Sequence, residues 1–218
     1  MLTRALLATL VTAVVTALSV TPFRSGAGTR GSAVTVDTIV HDAALIGNLE
    51  RDATGHRVWL DGAEPRVGTV AGRRSRPLVT FDISAIPSGA TIVDALLLLD
   101  QCAAAGTPFA GAAHVVIDHL IAATAPDSAT FDVSPAGATI AALPADLTPG
   151  RRAVPVTTSV ATDYAALRAL TQFRLRLEGR FERPLENAAG YVAFRGDGDD
   201  DCPAVPEAAP MLIVTYRR

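Results

Sequence analysis

Along this chain the apolar positions recur every second residue far more often than every third or fourth, which predicts strands rather than helices. Val79, Phe81 and Ile83 alternate with Thr80, Asp82 and Ser84, so a strand here is expected to bury one face and wet the other. Ile86, Pro87, Ser88 and Gly89 then interrupt the period. Proline has no N–H to donate and glycine reaches positive φ, as a turn requires. From Val93 to Leu99 only Asp94 is polar, and a strand apolar on both sides is expected to be covered on both. Phe173, Leu175 and Leu177 alternate with Arg174, Arg176 and Glu178 as a one-sided strand.

Further strands are expected at residues 34–40, 113–120, 152–156, 190–195 and 211–216, and residues 57–60, 67–70, 129–133 and 138–142 can read either as short strands or as loop, whereas most of residues 46–76 reads as irregular. Pro155 cannot donate to a ladder, which places its strand near an edge. One short helix is predicted in SVATDYAALRAL, where Val160, Tyr164 and Leu167 fall at i, i+4 and i+7 and Thr158 or Ser159 is placed to cap. No internal repeat interrupts this order. The pattern predicts an all-β, jelly-roll-like antiparallel β-sandwich of about eight to ten strands with one short helix.

Composition narrows the setting. A chain of 218 residues, 49% hydrophobic and 19% charged, can bury a sizeable core as one domain. Arg4 precedes an apolar run in MLTRALLATLVTAVVTALSV, and Ser25-Gly26-Ala27 suits cleavage, so residues 1–27 read as a secretory signal peptide, with a membrane anchor as the alternative. Residues 28–33 are then a linker and residues 34–218 a single secreted or cell-surface domain, with no membrane span after cleavage. Net charge is −3, and removing residues 1–27 takes away Arg4 and Arg24 but no carboxylate. No basic stripe is present to neutralise phosphates, so nucleic acid is not an expected partner.

Two cysteines, Cys102 and Cys202, fall at predicted strand ends, and in an oxidising compartment they are expected to form one disulfide, with separate buried thiols as the alternative. Closing a loop of about 100 residues stabilises by roughly 4 to 5 kcal/mol on chain entropy. Too few further Cys or paired His residues exist for a zinc site. Asp197, Asp199, Asp200 and Asp201 crowd one glycine-containing loop near Glu207. Such oxygen ligands suit Ca2+, and a solvated acidic turn is the competing reading.

The stretch RPLVTFDISAIPSGATIVDALLLL, residues 76–99, resembles the hallmark of the DNRLRE-type β-sandwich domain family. The ending YVAFRGDGDDDCPAVPEAAPMLIVTY, residues 191–216, is similar to that family's last hairpin, with Arg195 and Gly196 where the family often has serine. The resemblance spans residues 34–216 and implies a secreted β-sandwich. Some members are carbohydrate-binding modules for acidic polysaccharides. Others are surface proteins. A non-catalytic glycan-binding module is therefore expected, with a structural or adhesive protein that contacts protein partners as the alternative.

Candidate chemistry is sparse. Aromatics are 5% and Trp59 is the single tryptophan. An exposed indole can stack on a pyranose and a guanidinium can bind its hydroxyls or carboxylate, so Arg57 and Trp59 form the candidate sugar-facing patch, set against a core role for Trp59. Leu96 and Leu98 stand where the family tends to be polar, and are expected to lie under the short helix or in a subunit contact. His114 and His119, five residues apart on a strand, point to opposite faces. The chain has no G-x-S-x-G elbow, H-E-x-x-H or phosphate loop, so an enzyme is not the expected class.

Overall fold

A computed structural model describes residues 34–40, 45–121, 126–178, 190–196, 202 and 210–218. The leader and linker expected over residues 1–33, His41, and the acidic residues Asp197, Asp199, Asp200 and Asp201 lie outside the described residues.

Alternation at period two is realised as antiparallel ladders. The strands are β1 (Val34–Val40), β2 (Ile46–Arg51), β3 (Arg57–Asp61), β4 (Arg66–Val70), β5 (Arg73–Asp82), β6 (Thr91–Gly106), β7 (His114–Leu120), β8 (Gly137–Ala142), β9 (Gly150–Pro155), β10 (Leu170–Glu178), β11 (Gly190–Phe194) and β12 (Met211–Arg217), with α1 at Thr157–Ala165. They make one curled antiparallel sheet, the all-β sandwich-like class predicted. One layer runs β1, β12, β6, with β9 on the other edge of β6. The opposing layer runs β3, β2, β5, β10, β7, β8. Between them β11 and β4 carry the ladder from β6 to β5. The described strands fall in a compact unit spanning Ser32–Arg218.

The inward-facing positions of both layers fill one core. Val79, Phe81, Phe173 and Leu175 meet Leu97 and Leu212, all without solvent exposure. Phe81 and Phe173 pack as a tilted pair with centroids 6.4 Å apart. The turn into β6 forms as its residues predict, with Ala90 N–H donating to Pro87 O and Gly89 at φ +80°.

Several local expectations are overturned. Residues 46–51, read as irregular, form β2, because pairing to β5 and β3 on its two edges supplies order that its own sequence does not advertise. Residues 129–133 form no strand; Ser128–Asp132 is a 3-10 turn, with Val133 capping its end. Asp127 Oδ1 accepts the N–H groups of Ala129 and Thr130, and Thr130 Oγ1 accepts Asp127 N–H. This reciprocal cap outweighs the β propensity of Thr130 and Phe131. The helix starts and ends earlier than its apolar spacing indicates. Leu167 sits past its end at φ +57° and is 92% exposed. Neither Thr158 nor Ser159 caps it; Val156 occupies the cap position, without a side-chain bond.

The two central strands exchange their expected environments. Leu78 and Thr80, on the supposedly wetted side of β5, are fully buried, and Arg174 on β10 is 3% exposed. Leu96 and Leu98 on β6, expected to be covered, are only half-buried. Val160 and Tyr164 of α1 pack with the core on the Ala95 and Leu97 side of that strand, so the helix does not roof Leu96 and Leu98.

Candidate functional site

Antiparallel register gathers arginines on the outer face of the β5 layer. Leu49 stands opposite Trp59 and Arg51 opposite Arg57 across β2 and β3; Leu49 also faces Arg76 across β5. Leu78 stands opposite Arg174, which in turn faces Asp118 on β7. Residues paired in this way share a face, so scattered arginines converge.

The 3-10 turn lies over this face and inserts Phe131, fully buried, among Leu49, Leu78 and Leu120, with Trp59 packed alongside. The guanidinium groups of Arg51 and Arg76 lie 4.8 and 4.4 Å from the Phe131 ring centroid, close enough for cation–π attraction. Arg76 and Arg174 each donate to Phe131 O at 3.1 Å. Thus one aromatic ring and its carbonyl organise three arginines.

Five of these arginines, Arg51, Arg57, Arg76, Arg174 and Arg176, face three carboxylates. Asp132 pairs with Arg51 at 3.2 Å and also with Arg57. Asp118 accepts from Arg174 and Arg176, both at 3.0 Å, and Glu178 accepts from Arg176 at 3.2 Å. Burial raises the Asp118 carboxyl, but its bonds from Thr139 N–H, Arg174 and Arg176 outweigh this and hold it below the ordinary aspartate range. Arg76 has no carboxylate at ion-pair distance among the described residues. Burial, reinforced by the charges of Arg174, Arg74, Arg51 and Arg176, pushes its pKa down to about 10, so it stays charged at neutral pH. The Nε groups of Arg76 and Arg174 are buried without a hydrogen-bond partner. Positive charge on this face therefore exceeds its internal compensation.

Arg57, Trp59 and the two cysteines take unequal places in this arrangement. Arg57 and Trp59 share this face, but Trp59 is half-buried against Leu49 and Gly47, where an added Cβ would stand 2.7 Å from the indole. Arg51, Arg76, Arg174, Arg176 and Phe131 escaped sequence reasoning. Their one signal was arginine at alternate positions of two strands, which reads as an ordinary solvated side. Cys102 and Cys202 form a disulfide, with Cα atoms 5.6 Å apart. Glu64 lies near the two sulfurs, which are bonded to each other and so present no thiolate pair.

Among the described residues the histidines do not form a nucleophilic centre. His56 and His114 are surface groups 3.8 Å from Asp52 and Glu178. His119 is buried and its Nε2 lies 2.8 Å from Asp163 Oδ2, while Arg168 holds Asp163 Oδ1 at 2.8 Å. Burial raises the Asp163 carboxyl, yet the His119 bond and the nearby positive groups bring it below its ordinary value. No hydroxyl or thiol hydrogen-bonds to His119 among the described residues.

Fold and site together define an antiparallel all-β, sandwich-like protein with a disulfide and an arginine-rich outer face backed by aromatic rings. No protein-family model matches the chain, and no curated protein matches it.

Proposed function

We propose that this protein is an extracellular, non-catalytic β-sandwich module that binds a glycan at the arginine face, with Arg51, Arg57 and Trp59 at its accessible margin. The supporting observation is the excess of guanidinium over carboxylate on that face of an otherwise acidic chain. A guanidinium fork matches the planar carboxylate of an acidic sugar bidentately, and the half-exposed indole offers an apolar edge for a ring. Acidic glycans are therefore favoured over neutral ones. Secretion fits the disulfide, which persists in oxidising compartments. Ca2+ held by Asp197, Asp199, Asp200 and Asp201 belongs to the same reading, since clustered carboxylates suit that ion.

A glycan array probed with the protein, with and without calcium, tests this reading. Acidic glycans should bind, more weakly at high salt, and Arg51→Ala with Arg57→Ala should reduce binding roughly 10-fold or more. Absence of binding to acidic and neutral glycans in both conditions would remove the reading.

A structural or adhesive role is a second reading, favoured by a different face. Leu96 lies between Ile213 and Pro155, and Leu98 between Met211 and Ala153, as an apolar strip of half-buried and exposed side chains. Concentration-dependent self-association or protein binding, lost in Leu96→Thr with Leu98→Thr, is its expected signature.

A further inference from the structure

Away from the arginine face, α1 begins in an unusual way. Its cap residue, Val156, offers no side-chain acceptor. The first intrahelical bond is Val160 N–H to Val156 O at 3.1 Å. The N–H groups of Thr157, Thr158 and Ser159 have no acceptor among the described residues. A helix start ordinarily satisfies such groups with a cap, water or a ligand.

These residues open onto a cleft of about 410 Å3 whose wall also includes His119, Ile140, Pro155 and Val156. Ser159 is only 6% exposed, yet its hydroxyl makes no hydrogen bond among the described residues. The hydroxyl oxygen itself is not sealed off from solvent, so it is open to a partner in the cleft. Thr157 and Thr162 differ: the first is held by Asp94 and Ala95, the second by Thr158 O.

His119 adds a group of opposite kind. Asp163 is an ionised acceptor, so the proton shared in their 2.8 Å bond sits on Nε2. The other ring nitrogen, Nδ1, has no partner among the described residues and is not sealed off from solvent. In the neutral ring it is an acceptor. The cleft thus presents three backbone donors, one hydroxyl and one acceptor, with apolar Ile140, Pro155 and Val156 at the side.

We propose that this cleft binds a phosphate group, carried on a small apolar body as a phosphomonoester. Oxygen atoms of the phosphate accept from Thr157, Thr158 and Ser159 N–H and from the Ser159 hydroxyl, at the positive end of the helix dipole. The P–OH of the monoanion donates to His119 Nδ1, and a protonated ring would instead donate to the dianion. A carboxylate lacks that O–H and meets only the donors. The apolar wall takes the ester's organic part. This site is independent of the glycan reading.

The test is a 1H–15N NMR titration of the protein with inorganic phosphate, phenyl phosphate and acetate, each against sodium chloride at equal ionic strength. The amides of Thr157, Thr158 and Ser159 should shift saturably with both phosphates, at lower concentration for phenyl phosphate, and weakly with acetate. Equal saturation by inorganic and phenyl phosphate would remove the apolar-body part. Ser159→Ala, a helix-favouring change, should raise the dissociation constant roughly 10-fold with the fold retained, and His119→Gln should weaken phosphate more than acetate. Arg51→Ala with Arg57→Ala should leave the titration unchanged. Shifts matched by sodium chloride, shifts confined to the arginine face, or wild-type affinity in Ser159→Ala would overturn the proposal.

Discussion

The outer faces of the two layers invert each other. Across β5 and β10 the outward positions, Leu78 and Leu170 apart, are polar or charged in sequence, yet Thr80 and Arg174 are buried. Across β6 and β12 they are apolar, yet Leu96, Leu98, Met211 and Ile213 remain half-exposed. The difference lies in what crosses each face. A capped 3-10 turn carries Phe131 over the first, and its carbonyl accepts from Arg76 and Arg174. Over the second, α1 turns to the opposite side of β6, following the bonds between Ala95 and residues 156 and 157. Burial of charge demands partners, which Phe131 O and Asp118 supply in part on the first face; an apolar face makes no such demand.

Four changes test that contrast, in descending order of effect. Phe131→Ala removes the cover from the charged face and leaves a cavity among Leu49, Leu78 and Leu120; it should cost about 4 kcal/mol in chemical denaturation. A loss below about 1 kcal/mol would mean that the turn does not seal this face. Asp118→Asn should cost about 3 kcal/mol, because Arg174, buried at 3% exposure, loses its counter-charge.

The same variant has a pH signature. Asp118 in the folded protein titrates below the ordinary aspartate value of 3.8, so on acidification the unfolded chain takes up the proton first. Its contribution is complete above the unfolded value and is lost as pH falls through the lower, folded one. Denaturation midpoints of wild type and Asp118→Asn should therefore converge below about pH 4. A gap that stays constant down to strongly acidic pH would contradict the ion-pair account.

The smallest effect belongs to the open face. Leu96→Thr and Leu98→Thr should each shift stability by about 0.5 kcal/mol, since these side chains already meet water and threonine suits a strand. A loss of 2 kcal/mol or more from either would show that something covers the strip.

Legibility followed the range of the interactions involved. The turn at Pro87 and Gly89 and the inward set Val79, Phe81, Phe173 and Leu175 were readable because each depends on residues one to four apart. Cys102 and Cys202 were readable as a pair because no other cysteine competes. Arg76 was not, because its neighbours Arg51, Arg174 and Phe131 come from three other segments. The helix start was misplaced for a related reason: Thr157 is anchored by Ala95 and Asp94 across a strand, and no local cap marks the spot. Arg57 and Trp59 were legible as a pair two residues apart, but the charge around them is a product of register.

Alternation of apolar and polar residues dictated strands, their two sides and the core they build, since backbone geometry alone sends successive side chains in opposite directions. Which side stays wet was settled elsewhere, by a ring from residue 131 and a helix that turned the other way. A strand's own residues cannot specify what distant chain will be laid across them, and on that depend both the arginine face and the cleft beside His119.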